Sequence, residues 1–170
     1  VNCYLLENAR RQALVIDPGD EADRILGEVR QRGLTVTACL LTHGHIDHLS
    51  ALADLAEQLP APVGLAAADA AWAFEAANQL PPYYPAPRRP AGPIRRLAAG
   101  QGWPETGFEF HVVETPGHTP GGLCFHFAQA QVLFTGDTLF AGSIGRTDLP
   151  GGDLRRLQRS LAQLAALPGA

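Results

Sequence analysis

The run His43-Gly44-His45-Ile46-Asp47-His48 packs three imidazoles and a carboxylate into six residues. It follows Thr35 to Leu41, an apolar β-branched run of the buried-strand kind. It precedes Leu49 to Leu59, where apolar residues at 49, 52, 55, 56 and 59 mark one face of a helix. Any fold that accepts this order must end a buried strand and begin a helix at one edge, with ionisable side chains in the turn between them. Neutral imidazole nitrogen and carboxylate oxygen are the donors that zinc-class cations take. Positions 43 and 45 can aim two rings at one ion while 47 and 48 serve another, so the spacing suits two metals better than one. The competing reading is a polar loop whose histidines bond to backbone carbonyls, and it leaves this density of ligand types unexplained.

Two further loops strengthen the metal reading. Pro116-Gly117-His118-Thr119-Pro120-Gly121-Gly122 and Thr135-Gly136-Asp137-Thr138 each set an ionisable residue beside glycine after a strand-like run. Taken singly, such a residue is more often a turn former than a ligand. Together with the cluster, they describe side chains converging at one sheet edge.

The remaining pattern alternates strands and helices. Asn2 to Leu6 and Ala13 to Ile16 read as a hairpin, Glu21 to Arg32 as a helix stopped by Gly33, and Pro62 to Leu65 as a short strand. Ala66 to Leu80 reads as an alanine-rich helix. Pro81 to Pro93 is a loop, because its six prolines remove backbone donors. Phe108 to Glu114, Gly122 to Phe127 and Gln131 to Thr135 read as strands, and Asp153 to Leu167 as a closing helix capped by Asp153. This is an α/β layered sandwich, and a chain of 170 residues suits one domain.

The 13 basic and 17 acidic residues give a net charge of -4, without the basic footprint that nucleic acid requires. No apolar run is long enough to span a bilayer, so no membrane partner is expected. Cys3, Cys39 and Cys124 lack C-x-x-C spacing, which makes buried inert thiols the expectation and a cytoplasmic location the natural reading. The chain starts at Val1 inside a strand-like run, so a start beyond its true N-terminus is expected, and a removed targeting segment would leave no trace.

The motifs at 43 to 48, Gly117-His118-Thr119-Pro120-Gly121-Gly122 and Gly136-Asp137-Thr138-Leu139-Phe140 resemble the metallo-β-lactamase superfamily. Its nearest branch is the glyoxalase II or hydroxyacylglutathione hydrolase type and that type's short relatives. The similarity runs from Asn2-Cys3-Tyr4 through Gly145-Arg146-Thr147-Asp148 and implies an αββα sandwich over 1–170, truncated at both ends. It implies His43, His45 and His118 on one metal, Asp47 and His48 on a second, and Asp137 bridging both. In the family a histidine near the C-terminus completes the second site, whereas this chain has none after His126.

The implied activity is hydrolysis of a small-molecule thioester, a glutathione conjugate for example, by a metal-bound hydroxide. Two Zn2+ ions are expected, with iron or manganese as alternatives, and Asp47 and Asp137 are the catalytic carboxylates. Two divalent ions bring the pKa of a shared water towards neutrality and stabilise the tetrahedral oxyanion, so no Ser-His-Asp nucleophile is needed. The alternative is a persulfide dioxygenase, also similar through Gly145 to Asp148, with one iron on His43, His118 and Asp137. A β-lactam hydrolase shares the fold, but fold does not transfer substrate.

Several residues stay outside the ligand set. His111 and His126 sit on alternating strands opposite the apolar face. Asp17 is read either as a support for a ligand histidine or as a turn residue. Arg146 and Asp148 read as an ion pair holding their loop. Tyr83, Tyr84, Arg88 and Arg89 have no assigned role.

Overall fold

A computed structural model describes residues 1–168. The chain runs β1 (Tyr4–Glu7), β2 (Gln12–Ile16), α1 (Ala22–Gln31), β3 (Thr35–Leu40), α2 (Ile46–Leu49), α3 (Leu52–Gln58), β4 (Val63–Ala66), α4 (Ala67–Ala70) and β5 (Ile94–Leu97). It continues through β6 (His111–Glu114), β7 (Leu123–Phe127), β8 (Val132–Phe134), β9 (Leu139–Phe140), β10 (Ser143–Ile144) and α5 (Leu154–Ala165). Strands β1 to β5 form one sheet in sequence order, with β1 antiparallel to β2 and the others parallel. Strands β6, β7 and β8 form an antiparallel second sheet, and β9 pairs with β10.

Alternating side chains turn these sheets into layers. Ala13 and Val15 of β2 pack with Leu26 and Val29 of α1 and Leu52 and Leu55 of α3. Their neighbours Leu14 and Ile16 face the other way, against Phe110, Val112, Leu123 and Phe125 of the second sheet region. On the far side of that sheet Val113 and Cys124 meet Leu164 of α5. Helix, sheet, sheet and helix follow one another, which is the αββα sandwich expected from the sequence.

One irregularity keeps both faces apolar along β3. Ala13 pairs with Val36 but Leu14 pairs with Ala38, so Thr37 is an extra residue in the strand. Val36 faces the helices, and beyond the bulge the odd-numbered Cys39 and Leu41 take over that side while Ala38 and Leu40 face the second sheet. A one-residue slip would otherwise exchange the two sets. The Thr37 hydroxyl sits 3.1 Å from the Ala13 carbonyl oxygen and 2.8 Å from that of Thr106.

The elements depart from the sequence reading at several points. The helix expected at Leu49 to Leu59 begins earlier, inside the histidine cluster, and is divided into α2 and α3. The helix expected over Ala66 to Leu80 survives only as α4 and then becomes turns, with Trp72 N–H bonding Asp69 O and Glu75 N–H bonding Trp72 O. Asn78 holds that path by donating to Gly44 O at 2.8 Å and Ala73 O at 2.7 Å. Strand β5 and the β9–β10 pair have no clear sequence signature, because they are short and lack a clear alternation. The proline-rich loop is anchored: Arg88 pairs with Asp54 and Glu57 of α3, and Arg89 lies over the Phe74 ring at 5.3 Å. Asp153 caps α5 as expected, accepting from Arg156 N–H. Cys39 and Cys124 are buried and free, but Cys3 is exposed rather than buried. No described helix is long and apolar enough to cross a membrane.

The inter-sheet core gives a direct test of this architecture. Phe125 is fully buried and meets Phe110 edge to face, with ring centroids 5.9 Å apart. Phe125→Ala is expected to cost about 3–5 kcal/mol in urea unfolding. Tyr83→Ala, at a residue 78% exposed, is expected to change stability by less than about 0.5 kcal/mol.

Candidate metal centre

The chain exits β2 at Asp17, β3 at Thr42 to His48, and β4 at α4, all from the same ends of parallel strands, where open α/β sheets place their ligands. The second sheet joins this edge through Leu123 N–H, which donates to Thr42 O at 2.7 Å. His118 and Asp137 then arrive on loops flanking β7 and β8.

Five of the six expected ligands form two overlapping sets. Ligand atoms of His43, His45 and His118 lie within 4.8 Å of one another, as do those of His43, His48 and Asp137. His45 Nδ1 is 2.9 Å from His118 Nε2, and Asp137 is 3.2 Å from His48 Nε2 and 3.6 Å from His118 Nε2. Asp47 stands at the margin, 4.0 Å from His48 Nε2. Thus all six are near one centre, and His43 is shared between the compact sets.

The outer nitrogens of three rings are tied down. His48 Nδ1 is 3.0 Å from Asp17 Oδ2, and His118 Nδ1 is 2.8 Å from Arg146 O. Thr42 donates its hydroxyl proton to Asp17 Oδ2, so the 3.1 Å contact between Thr42 Oγ1 and His43 Nδ1 must be donated by the ring. The His43 and His118 rings therefore turn a bare Nε2 inward, and the His48 ring turns its Nε2 towards Asp137. The buried Nε2 of His43 has no hydrogen-bond partner, a condition that costs about 1–3 kcal/mol unless something else fills it, and the buried Nε2 of His48 has only the Asp137 carboxylate, 3.2 Å away. A cation taking imidazole and carboxylate donors fits that gap.

Electrostatics divides the centre in two. Burial, followed by the neighbouring His48, His45 and His118 rings, pushes His43 well below the usual histidine range. Burial and then His118 bring His45 down to about 4, which keeps both rings neutral and ready to donate lone pairs. Burial also opposes charge on His48, but the carboxylates of Asp137 and Asp17 outweigh it and lift the imidazole to about 9. Burial would raise Asp137 too, yet the His48 contact holds its carboxyl below the ordinary range. The His48–Asp137 half is thus a place for positive charge.

Asp17, 2% exposed, supports His48 and Thr42 in the role that the sequence left open. Arg146 and Asp148 form the anticipated pair through two 2.7 Å bonds, while the Arg146 backbone holds His118. His111 and His126 face each other across β6 and β7, on the α5 side and away from the cluster. Asp69 was missed. It is 0% exposed and accepts bonds from Gly44 N–H, Thr119 Oγ1 and Gly121 N–H, partners up to 52 positions away that leave no local signature. Gly44 makes a close approach here: a Cβ on it would lie 3.1 Å from the Cβ atoms of both Asp69 and Ala73.

A groove of about 630 Å³ opens onto His45, Asp47, His118 and Asp137 between Trp72 and Leu149. Trp72 lies 5.5 Å from the His45 ring, centroid to centroid.

Residues 1–170 match the family model described as the Metallo-beta-lactamase superfamily. Hydroxyacylglutathione hydrolase GloC of Haemophilus influenzae is 35% identical over 94% of this chain and 76% of its own length. The di-iron-bound form of TTHA1623 is 39% identical with a TM-score of 0.83, covering 98% of this chain and 82% of that one. The BLEG-1 B3 metallo-beta-lactamase is 34% identical with a TM-score of 0.88, covering 98% and 81%. ETHE1 from Myxococcus xanthus is 30% identical with a TM-score of 0.76, covering 98% and 65%. The fold, the motifs and the full-length match agree, and the chain belongs to the metallo-β-lactamase superfamily.

Proposed function

We propose that this protein is a cytoplasmic, binuclear metallo-hydrolase that cleaves a small-molecule thioester of the hydroxyacylglutathione type. The reading rests on the buried, unpartnered Nε2 of His43, gathered with His45, His48, His118 and Asp137 beside a groove that His45, His118 and Asp137 line. The 35% identity to a hydroxyacylglutathione hydrolase supports the substrate class. On this reading His43, His45 and His118 hold one ion, Asp47 and His48 the other, and Asp137 lies between them. Zinc-class ions bound there supply a water of lowered pKa and polarise the thioester carbonyl.

The chain's own groups prepare that chemistry. Asp17 and the Arg146 carbonyl occupy the outer nitrogens of His48 and His118, which fixes their tautomers and leaves the inner nitrogens as donors. Asp47 and Asp137, both only partly buried, would offset part of the positive charge of ions held there and would accept hydrogen bonds from a bound water. Trp72 and Leu149 flank the groove and offer apolar surface to a substrate's acyl group.

A second reading is persulfide oxidation at one iron on His43, His118 and Asp137. The likeness to ETHE1 supports it. Elemental mass spectrometry of the purified protein, run beside thiol release from S-D-lactoylglutathione, separates the two. The hydrolase reading expects about two zinc-class ions per chain and hydrolysis abolished by a chelator. One iron per chain with oxygen consumption on a persulfide would replace it with the second reading, and absence of bound metal would sink both.

The shifted histidines also set how the metal-free protein responds to pH. His45 sits near 4 against an ordinary value of 6.5, so below 6.5 the unfolded state takes up a proton that the folded state refuses. Stability therefore falls as pH drops from 6.5 towards 4. His48 sits near 9, so its contribution is complete below 6.5 and is lost as pH rises through 9. Chemical denaturation of chelated protein is expected to show greatest stability near pH 6.5; a curve rising steadily to pH 9 would contradict the charged His48 pocket.

A further inference from the structure

We propose that Asp69 is the positioning residue for the three-imidazole half of the centre, setting the mutual placement of His43, His45 and His118 and so the affinity of that half for its ion. The half containing His48 and Asp137 depends more on Asp17, which meets His48 directly and reaches His43 only through Thr42. This inference rests on the metal-centre reading above.

Its partners carry the argument. Gly44 lies between His43 and His45, and its N–H donates to Asp69 Oδ2 at 2.9 Å. Thr119 adjoins His118, and its hydroxyl donates to the same oxygen at 2.7 Å. Gly121 N–H, from the loop that carries His118, donates to Oδ1 at 2.7 Å. One carboxylate therefore joins the loop of two imidazoles to the loop of the third. The join is tight as well as bonded. A Cβ on Gly121 would fall 2.7 Å from Asp69 Oδ1, and on Gly44 3.1 Å from Asp69 Cβ. Asn78 holds the next peptide, between Gly44 and His45, by donating to Gly44 O.

The residue type is informative. Asp69 is wholly buried, and among the described residues no lysine, arginine or histidine forms a salt bridge with it. Its three close partners all act as donors, and only a carboxylate has acceptors on both oxygens. An amide of equal size would set its NH2 against an N–H or a hydroxyl. A carboxylate that costs desolvation is thus the group that the two ligand loops require.

Stepwise zinc affinities, measured by competition with a chromophoric chelator on the full chain, test the assignment. Circular dichroism and thermal melting of the same samples verify folding. Asp69→Asn is expected to weaken one zinc step by about 10- to 100-fold and leave the other within about threefold, while Asp17→Asn weakens the opposite step. Folded Asp69→Asn protein with both affinities near wild type would overturn the proposal, and so would equal loss of both steps in each variant. If Asp69→Asn does not fold, Thr119→Val removes a single donor and is expected to weaken the same step several-fold; two unchanged steps would then overturn it. Failure of the wild-type chain to bind zinc would remove the metal centre itself and this inference with it, an outcome separate from a variant without effect.

Discussion

The Asp17 carboxylate receives the Thr42 N–H and hydroxyl at 2.7 Å each and lies 3.0 Å from His48 Nδ1. Those three contacts bind the end of β2 to the end of β3, begin the ligand loop, and set the tautomer of a ring 31 positions away. Thr42 passes the constraint onward: having given its proton to Asp17, it can only accept from His43. Gly136 completes the junction, since its positive φ of 49° brings the Asp137 loop against Thr42, where a Cβ would collide with the threonine side chain. Without this corner, β3 would end in a loop with four donors and no fixed directions.

Four histidines and two carboxylates in one partly buried place are unfavourable for folding unless their charges and lone pairs are matched. The protein manages this by segregation. Burial and the neighbouring imidazoles hold His43 and His45 neutral, whereas His48 sits between Asp17 and Asp137 and favours positive charge. Cations that accept imidazole and carboxylate donors resolve both halves together. The apolar sandwich supplies the rigidity that keeps these groups converged, because the ligand loops leave strands whose two faces are each buried.

Elements with a periodic pattern could be read directly from the sequence: α1 with its Gly33 stop, the Asp153-capped α5, and the strands leading to each ligand loop. The six candidate ligands are legible by density and by glycine-flanked placement. Other features depend on partners distant in the chain. Asp69 lies in an alanine-rich stretch that looks helical, and only the fold reveals that Gly44 and Gly121 surround its carboxylate. The helical pattern of that stretch yields to the same tertiary bonds, with Asn78 holding the turn open towards Gly44. Likewise, nothing local to Arg88 indicates that it reaches back to Asp54 and Glu57.

The central claim is that these inward nitrogens and carboxylates are metal ligands. Anomalous diffraction at the zinc edge, from crystals of zinc-loaded protein, tests it most directly. The account predicts one peak about 2.0–2.1 Å from nitrogens of His43, His45 and His118, and a second beside His48 Nε2, with Asp137 between them. A well-ordered cluster with no peak, or zinc bound only elsewhere on the molecule, would contradict it.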